Sequence, residues 1–176
     1  ARPRNYAAAM FDIRSLFVVM VATNAVLAFS LWVGTGRRPQ GGLGPWTLAL
    51  VAQAAAFALF AGRGHLPDWA SVVLANGLLG VSFSLMAAAI LAFRGAALPF
   101  FVHVAAGGVS AFAVAALLHD VNTRLIAASL LFGAGQVVLL ALAWKPVDGV
   151  SRGARGLFLA SFALGAASFL SRAIGQ

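Results

Sequence analysis

The chain has 176 residues, of which 62% are hydrophobic and only 9% charged, and its mean hydropathy of +0.96 excludes an ordinary soluble domain. Twelve Lys and Arg against four acids give a formal charge of +8, yet the cations stand singly or in pairs at the ends of apolar runs, where they set topology and reach lipid headgroups. No continuous basic face is left for a nucleic acid, and the absence of Cys excludes disulfides, thiolate metal sites and cysteine nucleophiles.

The apolar runs are about 20 residues long, enough to cross a bilayer core of about 30 Å, and must be helices because an open sheet cannot satisfy its backbone in lipid. Residues 1–9, "ARPRNYAAA", read as a short polar leader or remnant, with Met10 a candidate natural start. The first helix is predicted over 13–33, with Asp12 at its N-cap and "GTGRRPQGG" ending it. The second covers 45–61, with Pro45 in its first turn and Trp46 at the membrane interface. After the turn "GRGHLP" the third spans 68–93, and "RGAALP" leads to the fourth at 100–118. "HDVNTR" reads as a tight polar turn before the fifth helix, 125–144, and the loop "KPVDGVSRGARG" precedes the sixth, 157–174.

The expected fold is therefore all-α: a polytopic membrane bundle of about six transmembrane helices over residues 10–176. Turns this short make consecutive helices antiparallel neighbours in an up-down arrangement. Small residues recur at close-packing spacing in the pairs Gly80 and Ser84, Gly107 and Ala111, and Gly156 and Ala160. In a chain so rich in Ala and Gly, chance produces such pairs about as readily as an interface does.

Positive charges set the expected orientation. The N-terminus, the 2-3 and 4-5 turns and the C-terminus carry six cations, and the 1-2, 3-4 and 5-6 loops another six. Without the leader the first count falls to four. The positive-inside rule then places the 1-2, 3-4 and 5-6 loops in the cytoplasm, with both termini outside a bacterial inner membrane. On the outer side this gathers Asp68, His65, His119, Asp120 and Arg124, the most polar constellation in the chain.

The three histidines, His65, His103 and His119, show no spacing suited to metal or haem, so no metal and no cofactor is expected. Four amides fall inside apolar runs: Asn24, Gln53, Asn76 and Gln136. They are expected either to bond between helices or to line a polar pocket for a small ligand. No charged residue lies at the middle of a run, which argues against a proton- or ion-coupled carrier. No nucleophile elbow, phosphate loop or HExxH accompanies the serines, so no catalytic residue is assigned. Asp68, after Pro67, has an ordinary explanation as the cap of the third helix.

The stretches "FDIRSLFVVMVATNAVLAFSLWV", "GGLGPWTLALVAQAAAFALFAGRGHLPDWASVVLANGLLGVSFSLMAAAILAF", "HDVNTRLIAASLL" and "LSRAI" occur in that order. Together, over about residues 11 to 175, they resemble the N-terminal membrane sensor regions of bacterial GGDEF-type diguanylate cyclases. The resemblance marks Asp12, Trp46, Pro67, Asp68, Asn76, Asn122, Arg124 and Arg172. It implies a signal-transducing module that responds to a membrane or periplasmic cue and forms homodimers, with Asp68, Asn76, Asn122, Arg124 and Arg172 as candidate sensing residues. It departs from the family in one respect: the chain contains no Glu, whereas the cyclase signature requires one. The rival expectation is a non-catalytic accessory subunit of a larger respiratory or photosynthetic membrane complex, with other membrane subunits as partners. A small carrier ranks third, since no continuous polar path is visible in the sequence.

Overall fold

The structure, a computed structural model, describes residues 6–34, 41–145 and 151–174, and for residues 6–13, 154 and 172 the backbone alone. The described residues form six α-helices, α1 (Tyr6–Gly34), α2 (Leu43–Ala61), α3 (Ala75–Ala92), α4 (Phe100–Ala115), α5 (Val121–Trp144) and α6 (Arg152–Ile174). A π-helical segment, Trp69–Leu74, runs without a break into α3. Four stretches are long and apolar enough to cross a membrane: Arg14–Gly34, Leu43–Ala61, Trp69–Ala92 and Val121–Trp144. The protein is thus an all-helical bundle of membrane-spanning character. Helix α4 is shorter, its 16 residues rising about 24 Å, less than the hydrocarbon core of about 30 Å.

Helices α1 and α2 meet in antiparallel sense through Phe17, whose ring lies 6.2 Å from that of Phe57 and 5.5 Å from that of Phe60. Gly133 packs on Leu170, and Gly165 on Gln136, so α5 and α6 are antiparallel as well. Helix α3 is the hub. It touches α2, α4 and α5, and 61% of its span is buried against 6% for α1. Ala49, Met86, Ile90, Leu139 and Phe162 form the buried cluster that joins α2, α3, α5 and α6.

Several helix starts and ends differ from the sequence-based expectation. Helix α1 extends back to Tyr6, through part of the predicted leader, so Asp12 lies within the helix and not at its N-cap. Helix α6 starts at Arg152 and not near residue 157. Helix α4 ends at Ala115 instead of 118, because Leu117 and Leu118 bond back to Val114 and Ala115 in tighter turns. Helix α5 starts at Val121, four residues ahead of 125, because Asp120 caps it. The end of α3 is set by Gly95, whose φ of 71° suits a residue without Cβ. Around it Ala96 N–H bonds Leu91 O at 3.0 Å and Gly95 N–H bonds Ala92 O at 3.1 Å, the double closure of a Schellman turn.

Two of the three small-residue pairs lie where α3 and α4 approach most closely. A Cβ placed on Gly80 would stand 2.3 Å from Ser110 Oγ and 2.5 Å from Ala106 O, and one on Gly107 would stand 2.7 Å from Val81 Cγ2. Gly156, of the third pair, has nothing within 4 Å. Gly80→Ala is expected to destabilise the bundle by about 1 to 3 kcal/mol through overpacking. Gly108→Ala, where nothing lies within 4 Å, should be neutral or mildly stabilising. Unfolding by SDS titration in detergent micelles checks both, and equal midpoints for the two variants would refute the close approach.

Candidate functional site

The polar residues collect at the two ends of the bundle. One end carries the start of α1, the turn after α2 and the turn between α4 and α5, tied together where Arg14 Nη2 donates to Arg63 O at 3.0 Å. The other carries the start of α2, the turn after α3 and the end of α5, where Arg94 Nη2 donates to Leu142 O and, at 2.8 Å, to Lys145 O.

At the first end, Asp68 does not cap its helix. It already has helical dihedrals, and its side chain makes no capping bond. The first-turn donors are met by Pro67 O instead, which accepts from Ala70 N, Ser71 N and, at 3.2 Å, Ser71 Oγ. The carboxylate that does cap a helix is Asp120, which accepts from Asn122 N and Thr123 N, each at 3.1 Å, and from Thr123 Oγ1 at 2.5 Å. The signal was present in the sequence, since an Asp directly before an apolar run is the ordinary cap, but "HDVNTR" as a whole reads as a turn. Those bonds, the Thr123 hydroxyl above all, hold the Asp120 carboxyl below its ordinary pKa of 3.8.

Arg124 is buried, with 6% of its surface exposed, and its Nη1 donates to Leu118 O at 2.9 Å. It therefore satisfies a carbonyl freed at the end of α4. Asp68 and Asn122 are exposed, and among the described residues no side-chain hydrogen bond or ion pair joins Asp68, Asn122 and Arg124 to one another. Arg172 lies in the last turns of α6, and its side chain falls outside the described residues. His65 and His119 are exposed at this end.

The intramembrane amides divide. Asn76, 7% exposed, donates to Val72 O at 2.7 Å, so its bond closes on the π-helical segment of its own helix and not on a neighbour. Asn24 likewise donates to Met20 O at 2.8 Å within α1. Gln53 does reach across, with Nε2 3.9 Å from Met86 Sδ. Gln136 packs against Gly165 of α6, with its Oε1 buried and without a hydrogen-bond partner.

At the second end, His103 on α4 bonds Ser84 on α3 at 2.8 Å. The Ser84 hydroxyl also lies 2.7 Å from Val81 O, so it stands between the histidine ring and its own helix. His103 also lines a cleft of about 710 Å³ with Trp32, Pro45, Thr47 and Leu85. A second cleft, of about 370 Å³, opens between α1, α2, α3, α5 and α6. Among the described residues no group of three or more His, Cys, Asp or Glu is placed to hold a metal ion. Comparison with known proteins finds no matching family model, no similar curated protein and no similar solved structure.

Two outcomes follow from this geometry. A depressed carboxyl pKa means that the stabilising contribution of Asp120 is complete above pH 3.8 and is lost as pH falls through the lower folded-state value. Thr123→Val should move the Asp120 titration upward, as read by carbon NMR of the carboxyl in micelles; an unchanged titration would rule out the hydroxyl as the main cause. Gln136→Met removes a buried acceptor without a partner, so it should leave stability unchanged or raise it; a loss above about 1 kcal/mol would show that the amide is bonded.

Proposed function

We propose that the chain is a membrane signal-transduction module of the type it resembles, the sensor regions N-terminal to diguanylate cyclases. One observation supports this most. The stretch that bears the resemblance, Pro67 to Asn76, contains the π-helical segment Trp69–Leu74, which packs on α2 and α4 and holds the buried Asn76 amide through Val72 O. Isolated π turns inside α-helices concentrate at functional sites. Returning this segment to α geometry shifts the register by one residue, which rotates one side of the helix against the other by about 100°. A cue at the end bearing Asp68, Asn122 and Arg124 would thereby change how α3 packs over its whole length. In this reading the end with the 1-2, 3-4 and 5-6 loops faces the cytoplasm, the termini face outward, and the module works as a homodimer. Output would then pass through a further helix or a partner.

A second reading, an accessory subunit of a larger membrane complex, is favoured by α1, which among the described residues touches no helix but α2 and leaves Val26 and Phe29 each 63% exposed. Stable co-purification with other subunits would support it over the sensor.

The sensor reading is tested in a fusion that adds one membrane-crossing helix and a diguanylate cyclase domain after Gln176, with cyclic di-GMP as the readout. Asn76→Leu and Arg124→Ala should each change output by about fivefold or more at equal membrane abundance, and unchanged output in both would remove the siting. Orientation is tested separately. The chain has no Cys, so single cysteines at Gly64 and Gly95 can be labelled cleanly in intact cells. An impermeant maleimide should reach position 64 and not 95; the opposite pattern would invert the topology.

A further inference from the structure

We propose that the 370 Å³ cleft is a binding site for an anionic phospholipid, with an acyl chain in its apolar body and the phosphate at its cationic rim. The cleft is of ligand-binding size. Its interior is lined by Trp46, Ile90 and Phe158, with the Trp46 and Phe158 rings 5.3 Å apart. Among the described residues three cations line it, Arg94 from the turn after α3, Lys145 from the end of α5 and Arg155 from α6, and no carboxylate does so.

These cations are placed by the fold. The Schellman turn at Gly95 sets Arg94 beside the end of α5. Its Nη2 is committed to backbone carbonyls, while its buried Nε has no partner. Lys145 and Arg155 make no side-chain hydrogen bond or ion pair with the described residues. A cleft of this composition rejects a cation, and a zwitterionic lipid such as phosphatidylcholine brings its own ammonium to the rim together with its phosphate, which offsets the gain. An anionic headgroup gains from each cation, and the chain it carries gains from the aromatic lining. The bilayer supplies such a molecule at the depth where helix ends and Trp residues sit. The site does not depend on the signalling proposal, since an accessory subunit could hold the same lipid.

The test uses the whole chain, stripped of lipid in detergent and titrated with equimolar phosphatidylglycerol and phosphatidylcholine of identical acyl chains, with bound lipid read by native mass spectrometry. Wild type should retain phosphatidylglycerol roughly tenfold better, given the attraction expected for each cation near a phosphate. Lys145→Gln/Arg155→Gln, or Lys145→Gln alone should the double variant not fold, should abolish or reduce that preference. Arg63→Gln, at the opposite end of the bundle, should keep it. Phosphatidylglycerol with a brominated acyl chain should quench wild type more than Trp46→Phe. Equal retention of the two lipids by wild type, equal loss in Arg63→Gln, or displacement of the lipid by inorganic phosphate at millimolar concentration would overturn the proposal.

Discussion

Every α-helix ends with carbonyl groups that have no intrahelical donor, and near a membrane, where turns are short and water is scarce, those groups must find one elsewhere. In this bundle arginine supplies it. Arg14 donates to Arg63 O past the end of α2, Arg94 to Leu142 O and Lys145 O at the end of α5, and Arg124 to Leu118 O past the end of α4. Each guanidinium joins a turn to another segment, so the three together fix how the helix ends pair. An excess of cations over acids is then not an electrostatic anomaly, since these arginines bind backbone dipoles rather than carboxylates. In Arg94 a single nitrogen, Nη2, serves both Leu142 O and Lys145 O.

Within that frame α3 is set by close backbone approach rather than by polar bonds. Gly80 and Gly107 let α3 and α4 come together until little more than hydrogen atoms separate them, and dispersion over such a contact replaces the hydrophobic effect, which lipid removes. The Asn76 amide, the residue that most invites a cross-helix bond, turns back to Val72. The Val72 carbonyl also accepts the Ala75 backbone N–H at the end of the π-helical segment, so the amide adds to a bond already made there. Ser84 and His103 supply the polar link between α3 and α4 instead.

The sequence made the helices legible because apolar length alone decides whether a segment crosses lipid. It left their partners illegible for the same reason. Val26 on α1 faces outward and Ile90 on α3 is buried, yet hydropathy treats them alike, since lipid and a neighbouring helix are equally apolar. The caps show a related limit. Asp68 and Asp120 both precede apolar runs, but Pro67 O serves the first turn after Asp68, whereas Asp120 follows an extended residue geometry that aims its carboxylate at two amides. The dihedral angle decides between them, and the residue type does not carry that information. The site suffers most: Asp68, His65, His119, Asp120 and Arg124 do lie at one end, but Arg124 is spent on Leu118 O and Asp120 on its own helix.

The ends of α3 give the molecule its directional character. At one end it starts in a π segment, Trp69–Leu74, a geometry that is rare and occurs mostly as single turns. At the other it stops in the Schellman turn that positions Arg94. A helix is stiff along its axis, so a rotation begun at Trp69 cannot be absorbed before Arg94, whose bonds to α5 resist it. The face toward α4 offers less resistance, because small residues present few side chains to interlock. A rotation of α3 begun at the first end would therefore load one interaction at the second, between the Arg94 guanidinium and the last carbonyls of α5. Occupancy of the adjacent cleft by an anion would draw Arg94 toward the rim and away from those carbonyls, so binding there and rotation of α3 would be thermodynamically linked.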